Sequence, residues 1–393
     1  MAGYIFLLDS LDSLRLYTQN GVYATKLTAP SRFWGRQHEG TFADYATMNR
    51  GDNIYFFIKR MIYGIGKLIN LDSDCIFFNF PEAGKPKKVE YSKIKPNMLW
   101  DEDSYSIDQR CICVFEPDPF FFTNGIDMDD VLSSNPTAFK MLRALWKVSF
   151  IKFGDDENQA FRDIVLKRNQ QALKNPKEGV AIFKFILCHD LISDRLSPQY
   201  RLSLGISVVL SSCASDEILK HEMAIEAGIL HQLTVKDGHT CKIFGDWDYL
   251  SHQVIASPFK PIDYMDRMDL FGYSYVPGFK PTRSRFLVGE IKKDIARVED
   301  VDQLLKYIDW VKDEYCFGDY SMINAFLVAQ NFDKTVINHK QEVGLRKYTV
   351  GVRPAHSLEW NNLKLIRYAY NSAMGRLNFS IVGNIDEGTI NVS

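Results

Sequence analysis

Short apolar runs separated by Gly, Asp and Pro fill the first part of the chain. They are rich in β-branched and aromatic residues, and the clearest are YIFLL, GDNIYFFIKR, IYGIGKLI and CICVF. Runs of this kind, bounded by turn residues, predict β-strands. Residues 128–147 and 155–174 have the pattern of helices instead. The second of these has an acidic first turn and ends on Lys and Asn, as the helix dipole favours.

The second half of the chain alternates between strand and helix patterns. GVAIFKFILC and SLGISVVL predict strands, and a helix follows near SDEILKHEMAIEAGILHQL, with Ser215 as its N-cap. An amphipathic helix is predicted over 298–315, because its apolar positions keep helical spacing. Further strands are predicted at 264–275, 285–292 and 324–330. This order predicts an α/β layer with one covered sheet face.

Length and composition indicate a globular protein of two domains. The 393 residues exceed one ordinary core, while 46% hydrophobic and 24% charged residues are typical of a folded chain. The polar stretch KNPKEG predicts the boundary, which gives domains at 1–174 and 175–393. The formal net charge of −2 gives no overall basic field, so any binding of nucleic acid has to use local patches.

The cysteines and the hydropathy pattern predict a cytoplasmic protein without a membrane span. Seven cysteines, with no CxxC pair, argue against a disulfide framework and against a thiolate zinc site. The opening MAGYIFLLDS has no basic lead and only a short apolar run, unlike a signal peptide. No apolar run approaches the 18 or so residues that a transmembrane helix needs.

A carboxylate and a lysine share one face of a predicted strand end. Alternate side chains of a strand point the same way, so Glu290 and Lys292 lie together while Ile291 points into the layer. This pair suits phosphodiester hydrolysis, since the carboxylate helps to hold Mg²⁺ and the lysine positions or deprotonates water and stabilises developing charge. Asp269 lies one strand earlier, and a hairpin return through YSYVPGFKPTRSR would bring it beside Glu290.

Residues 216–331 resemble the core of the PD-(D/E)XK, restriction-endonuclease-like nucleases, and are most similar to single-chain endonucleases that cut branched or mismatched DNA. The resemblance lies in EMAIEAGIL, RMDLFGY, FLVGEIKK with DVDQLLKYIDWV, and AFLVAQ. It implies an α/β core with Mg²⁺, or Mn²⁺, as cofactor. It also implies the following site residues: Asp269 and Glu290 as metal ligands, Glu222 (or Glu226) as the helix carboxylate, Lys292, Gln303 and Tyr307. The long link after Asp269 leaves Asp263 and Asp266 as rivals.

The segment MNRGDNIYFFIKRMIYGIGKLI resembles the PUA-like group, particularly EVE and YTH-type domains. The likeness lies in a Gly51-Asp52 corner and in an I-x-G-x-G strand from Ile62 to Gly66. It implies an N-terminal β-barrel with helices that accepts a flipped, often modified base in an aromatic pocket, an arrangement that offsets the cost of unstacking. Trp34 is the candidate wall of this pocket, and a core tryptophan is the alternative.

Basic residues near this module predict contacts with a nucleic-acid backbone. Arg32 and Arg36 flank Trp34, and five lysines fall within eleven residues, a patch that a solvated loop explains equally well. These lysines are Lys85, Lys87, Lys88, Lys93 and Lys95.

Together the two halves predict an endonuclease that reads a base and cuts double-stranded DNA, base-modified DNA included, in modification-dependent restriction or anti-phage defence. Cutting both strands favours a homodimer. A repair or structure-specific endonuclease, a catalytically inactive nucleic-acid-binding protein and an RNA target stay open as alternatives.

Overall fold

The computed structural model describes residues 1–102, 106–139, 150–175, 188–215, 218–256 and 266–383. The chain forms two compact units. The N-terminal unit comprises Met1–Val235 and Ser257–Asp266, and the C-terminal unit comprises Lys236–Ala256 and Arg267–Ser393. Within the described ranges, no helix has both the length and the apolar composition that a membrane crossing requires.

The N-terminal unit is built on a seven-stranded sheet. Its strands are β1 Gly3–Leu7, β2 Val22–Lys26, β3 Asn53–Ile58, β4 Met61–Leu68, β5 Ile76–Phe78, β6 Gln109–Asp127 and β7 Phe150–Phe153. The order is β2-β6-β4-β3-β1-β7, with β5 also paired to β6, and only β1 and β3 run parallel. The sheet is mixed, and in the described part of this unit no pairing joins the end strands β2 and β7, so the closed barrel that the PUA-like resemblance implies stays a prediction.

Nine α-helices, three short 3-10 helices (Lys95–Asn97, Ser106–Asp108 and Pro198–Tyr200) and a small strand pair complete the described part of this unit. The helices are α1 Leu11–Asn20, α2 Arg36–Ala46, α3 Tyr91–Ile94, α4 Met128–Ser134, α5 Asp155–Arg168, α6 Gln170–Lys174, α7 Cys188–Arg195, α8 Leu202–Cys213 and α9 Glu222–Thr234. The strand pair is β8 Ala214–Ser215 with β9 Ile218–Leu219. Aromatic and aliphatic side chains form a core under the sheet, in which the ring of Phe161 packs at centroid distances of 4.7 Å from Tyr55 and 5.1 Å from Phe153.

The C-terminal unit is built on a six-stranded sheet in the order β10-β13-β14-β16-β20-β21. The strands of the whole unit, including those that pair outside this sheet, are β10 Tyr249–Ser251, β11 Val254–Ile255, β12 Arg267–Met268, β13 Leu270–Tyr275, β14 Arg283–Ile291, β15 Ile295–Ala296, β16 Ile323–Ala329, β17 Asn331–Phe332, β18 Arg346–Val350, β19 His356–Trp360, β20 Leu363–Asn371 and β21 Arg376–Ile381. The central strands β14, β16 and β20 are parallel, and the outer pairs are antiparallel.

Helices α10 Gly238–Phe244, α11 Val298–Tyr315 and α12 Lys334–Val343 accompany this sheet. Helix α11 connects the parallel strands β14 and β16, as a crossover requires. Its apolar face is buried through Val301, Leu305 and Ile308, which confirms the predicted amphipathic helix over 298–315. The strands predicted at 285–292 and 324–330 are confirmed as β14 and β16, and the one predicted at 264–275 is confirmed over its described residues, with a break at Asp269 between β12 and β13.

Several element predictions are wrong, each for a local reason. SLGISVVL lies in α8: Ser203, Gly205 and Ser207 alternate with apolar residues as in a strand, but over so short a segment this pattern does not exclude a helix. The helix predicted from residue 128 ends at Ser134, since Asn135 precedes a proline and leaves the helical region; residues 140–147 lie outside the described part. The helix predicted over 155–174 breaks at Asn169, whose side chain donates to the Val165 carbonyl.

The helix predicted from Ser215 begins at Glu222, with His221 as its N-cap. Ser215 pairs in the short strand β8 instead, and residues 216–217 lie outside the described part. This helix, α9, packs against α2 in the N-terminal unit. The contacts therefore divide the chain after Val235 and not after Lys174, where the polar stretch predicted it; residues 176–187, with GVAIFKFIL, are not among those described.

Candidate active site

The hairpin of β13 and β14 brings Asp269 beside Glu290. Its antiparallel register pairs Leu270 with Gly289, so the next residue of each strand, Asp269 and Glu290, are neighbours across the pair. The amide of Ile291 donates a hydrogen bond of 2.8 Å to Oδ2 of Asp269, which fixes the carboxylate against the end of β14. The predicted hairpin return is therefore confirmed.

The other oxygen of Asp269 is held by Gln253, a residue that no sequence pattern singled out. The pairing of β11 with β12 sets Val254 opposite Met268, so the preceding and following residues, Gln253 and Asp269, meet. Nε2 of Gln253 donates a bond of 2.9 Å to Oδ1 of Asp269. Both carboxylate oxygens thus accept a bond from the chain, which gives the group a defined orientation.

Glu290 and Lys292 lie on one face of the strand end, as predicted from alternation. Nζ of Lys292 donates a hydrogen bond of 2.7 Å to Oε1 of Glu290. Glu290 is only 2% exposed, and the side chain of Lys292 keeps 24% of its surface accessible. Ile291 between them is fully buried in the layer. A buried carboxylate is costly unless it is paired, and this ammonium is a partner that reaches solvent.

Asp300 connects this pair to the start of α11. Its Oδ2 accepts a 2.7 Å bond from the Arg297 amide, in a capping arrangement, and its Oδ1 lies 3.6 Å from Nζ of Lys292. Burial lowers the pKa of Lys292, but the negative charges of Glu290 and of the two aspartates more than offset that effect, so the pKa lies above its ordinary value. Lys292 is therefore an ammonium that donates and neutralises charge. The signal that could have identified Asp300 was an acidic residue at the third position of a predicted helix.

Two further predicted residues lie on the same helix. Gln303 is one turn beyond Asp300, and its Nε2 donates to the hydroxyl of Tyr307. Tyr307 is buried, so this bond holds the amide of Gln303 at a defined place on α11.

The predicted helix carboxylate, Glu222 or Glu226, lies on α9 in the N-terminal unit. Glu222 is the first residue of that helix and is half-buried, whereas Glu226 is buried one turn later. Their assignment to the site stays a prediction. Of the rivals to Asp269, Asp263 lies outside the described residues and Asp266 precedes β12.

The donor chemistry of the site matches a hard divalent cation. Mg²⁺ is commonly held by one or two carboxylates, with water and substrate phosphate completing its coordination. Asp269 and Glu290 offer two such carboxylates side by side. Among the described residues, no group of three or more His, Cys, Asp or Glu side chains is placed to hold a metal ion by itself. The pair therefore fits Mg²⁺, or Mn²⁺, provided that water or substrate supplies the remaining ligands.

Trp34 does not form the wall of an open pocket. It is 1% exposed, its Nε1 donates a 2.7 Å bond to the Gly84 carbonyl, and its ring packs 5.5 Å from that of Phe42. The predicted base contact is wrong in this arrangement, because a ring packed in a core has no face left for stacking. The Gly51-Asp52 corner is structural as well, since the Asp52 carboxylate accepts from the amides of Ala2 and Asn49.

The predicted basic residues lie beside this tryptophan. Arg32, Arg36, Lys87 and Lys88 are exposed, and Lys85 is half-buried and bonded to Glu82. The buried Arg110 was not identified from the sequence. Its guanidinium donates to the carbonyls of Ala83, Lys85 and Lys87 at 2.7 to 3.1 Å and so holds the lysine loop in place. A lone arginine within the apolar run QRCICVF was the available signal.

No protein-family model matches the chain, and no curated protein matches it. One solved structure to which the chain is similar is that of a repair endonuclease from Pyrococcus abyssi, with 20% sequence identity and a TM-score of 0.21. The match covers 34% of this chain and 47% of that chain, so the chain spans under half the length of this relative. Function is therefore inferred below from the geometry of the site.

Proposed function

We propose that this chain is a metal-dependent endonuclease that hydrolyses phosphodiester bonds of double-stranded DNA at Asp269, Glu290 and Lys292. The observation that supports this function is the pair of carboxylates on neighbouring strands, with the Lys292 ammonium 2.7 Å from Glu290. Carboxylates that bind a divalent cation beside a fixed ammonium are what phosphoryl chemistry needs, since charge develops on the phosphate oxygens.

In this mechanism Asp269 and Glu290 would hold one or two Mg²⁺ or Mn²⁺ ions, with water and substrate phosphate as the remaining ligands. The bound metal would act as a Lewis acid on the phosphate and lower the pKa of its water. Lys292 orients the attacking water and offsets the charge that develops on the phosphate. Gln303, fixed by Tyr307, steadies the reacting groups from the helix.

The N-terminal unit would contribute to substrate binding through Arg32, Arg36, Lys87 and Lys88, which are exposed cations suited to phosphate contacts. The chain is further proposed to act in modification-dependent restriction or anti-phage defence, in the cytoplasm, and the residue that would read a modified base is left to the cleavage experiment. Cutting of both strands would use a homodimer with one site for each strand.

The experiment is cleavage of unmodified, cytosine-modified and branched DNA, and of RNA, with Mg²⁺, with Mn²⁺ and with a chelator. Glu290→Gln and Lys292→Ala are expected to lose at least about 100-fold in rate, as removal of one charge-stabilising group does. Lys293→Ala is the matched control, because this neighbouring lysine pairs with Asp294 and lies outside the carboxylate pair.

Metal-dependent cutting that both site variants lose, and the control keeps, supports the proposal. The preferred DNA then separates defence from repair. If every substrate is bound tightly and none is cut, the chain is a catalytically inactive nucleic-acid-binding protein. If Glu290→Gln still cuts, the active site is not at Glu290.

A further inference from the structure

The tip of the β13–β14 hairpin is an ordered turn that projects from the strand carrying Glu290. Residues 276–282, VPGFKPT, connect the two strands. Three backbone hydrogen bonds of 2.8 to 2.9 Å close the turn. The amide of Val276 donates to the carbonyl of Thr282, the amide of Phe279 donates to the carbonyl of Val276, and the amide of Thr282 donates to the carbonyl of Phe279. Gly278 adopts a φ of 79°, which its lack of a Cβ allows. The turn is thus held by its own backbone.

Phe279 at this tip is 70% exposed. A single exposed apolar side chain is ordinary on a protein surface, so exposure alone indicates no partner. Here, however, the segment around Phe279 is basic. Residues 276–285 contain Lys280, Arg283 and Arg285 and no acidic residue, in a chain whose net charge is −2.

Buried aromatic rings hold these cations in place. The guanidinium carbon of Arg283 lies 4.4 Å from the ring centroid of Tyr273, and Nζ of Lys280 lies 4.6 Å from that of Tyr275. Arg285 lies 4.8 Å from the ring centroid of Trp247. Side chains placed in this way lose less conformational freedom when they bind, which favours a polyanionic partner.

Two acidic residues adjoin the strands of this hairpin, and together with Lys236 the three hairpin cations outnumber their carboxylates. Asp246 forms an ion pair of 3.1 Å with Lys236, and Asp248 accepts a 2.9 Å bond from the amide of Tyr275. The tip is therefore a locally basic projection with an aromatic ring at its end.

The same strand joins this projection to the carboxylates. Arg283 and Glu290 lie on β14, seven residues apart, which is roughly 23 Å at about 3.3 Å per residue. At about 3.4 Å per base pair, that is the length of roughly seven base pairs of duplex. One strand could thus contact a duplex at the tip while its other end lies at the scissile phosphate.

We propose that the hairpin tip is a DNA wedge, in which Phe279 inserts between stacked base pairs of the duplex while Lys280, Arg283 and Arg285 bind the flanking phosphates. Apolar wedges inserted between base steps, with basic residues beside them, are an established way to unstack and bend DNA. The wedge rests on the proposed function for its substrate, and it gives the enzyme a means to select duplexes that unstack easily.

The test uses the full chain with a chelator present, so that binding is measured without cutting. The probe is a duplex with 2-aminopurine at several adjacent steps, because the fluorescence of this base rises when it is unstacked. The wild-type protein is expected to raise the fluorescence severalfold, and Phe279→Ala to abolish the rise and weaken binding about 10-fold. Phe317→Ala is the matched control, since Phe317 in the same unit is 98% exposed, and it should behave like the wild type.

A second measurement addresses the phosphates. Arg283→Ala should lower the slope of log affinity against log salt by about one, as loss of one phosphate contact does. Phe279→Ala should leave that slope unchanged.

The outcomes separate the two proposals. If the wild type binds and cuts DNA but Phe279→Ala gives the same fluorescence and affinity, the wedge is overturned and the nuclease stands. If the wild type binds no duplex DNA, the proposed substrate is overturned and the wedge with it. An equal loss in Phe317→Ala would also overturn the wedge, since the effect would not belong to the tip.

Discussion

At the scale of single residues, Asp269 contacts a backbone amide and a neighbouring side chain, and it is also a proposed ligand of the metal ion. Its two oxygens accept from the Ile291 amide and from the Gln253 amide group. The Ile291 amide is fixed in the backbone of the sheet. The side-chain amide of Gln253 can instead rotate by 180° and present its carbonyl oxygen as an acceptor.

This difference predicts how substitutions of Asp269 behave. Asp269→Asn can still accept from Ile291 and donate to a flipped Gln253, so its free energy of unfolding should stay close to that of the wild type. Asp269→Ala leaves a buried amide without its acceptor and should lose about 1–3 kcal/mol. Both should lose metal-dependent cleavage. Denaturant unfolding and cleavage assays on the two variants check this, and an Asp269→Asn protein that still cuts would remove Asp269 from the site.

The placement of a site residue was predictable where strand geometry allows only one orientation of its side chain. Glu290 and Lys292 had to share a face because strand side chains alternate, and the structure has them in contact. Trp34 was not predictable in this way, since an aromatic ring between two arginines suits a core and a pocket equally well. Gln253 was missed because its contact with Asp269 depends on the pairing of two-residue strands, which leave no pattern in a sequence.

At the scale of elements, helix α11 positions the lysine as well as covering the sheet. Asp300 both caps the helix, through the Arg297 amide, and attracts the Lys292 ammonium. The Asp300 side chain therefore links the N-terminus of α11 to the Lys292 ammonium that follows β14.

Two substitutions of Asp300 should separate these roles. Asp300→Asn keeps an oxygen for the Arg297 amide and should preserve stability, whereas Asp300→Ala should lose about 1 kcal/mol, as loss of a cap does. Both remove the charge beside Lys292, and both should slow cleavage by about 10-fold or more, as loss of a supporting contact does at a metal site. Unfolding and cleavage rates measured on both variants would show it. A slow Asp300→Ala beside a fully active Asp300→Asn would assign the effect to the cap alone.

Elements with a clear apolar stripe were predictable, and an element whose small and apolar residues alternate was not. Helix α11 shows a clear stripe and was predicted with its observed bounds. Helix α8 contains SLGISVVL, in which Ser203, Gly205 and Ser207 alternate with apolar residues as they would in a strand, so the local pattern predicted the wrong element.

At the scale of the whole molecule, each unit has a core of its own. Phe161 is buried in the core of the N-terminal unit, and Ile308 is buried on the apolar face of α11 in the C-terminal unit. The predicted boundary missed this division because polar composition marks loops, whereas a domain boundary depends on which helices pack together. Helix α9 packs with α2, which is distant in sequence, and no local pattern reports that contact.

Separate cores predict two unfolding steps. Phe161→Ala should lower the melting temperature of one transition and Ile308→Ala that of the other, each by roughly 6–15 °C, since such truncations cost several kcal/mol. Differential scanning calorimetry of the two variants and the wild type measures this. A single transition that both variants lower equally would show that the units unfold together.

The hydrogen bond from Ile291 to Asp269 also gives the site a spectroscopic probe. The donor is a backbone amide, and its proton chemical shift depends on the charge that its acceptor carries. A cation that binds Asp269 withdraws electron density from the oxygen that this proton faces. The nitrogen–proton signal of Ile291, assigned once, would therefore follow occupancy of the carboxylate pair in solution, with no substrate and no turnover.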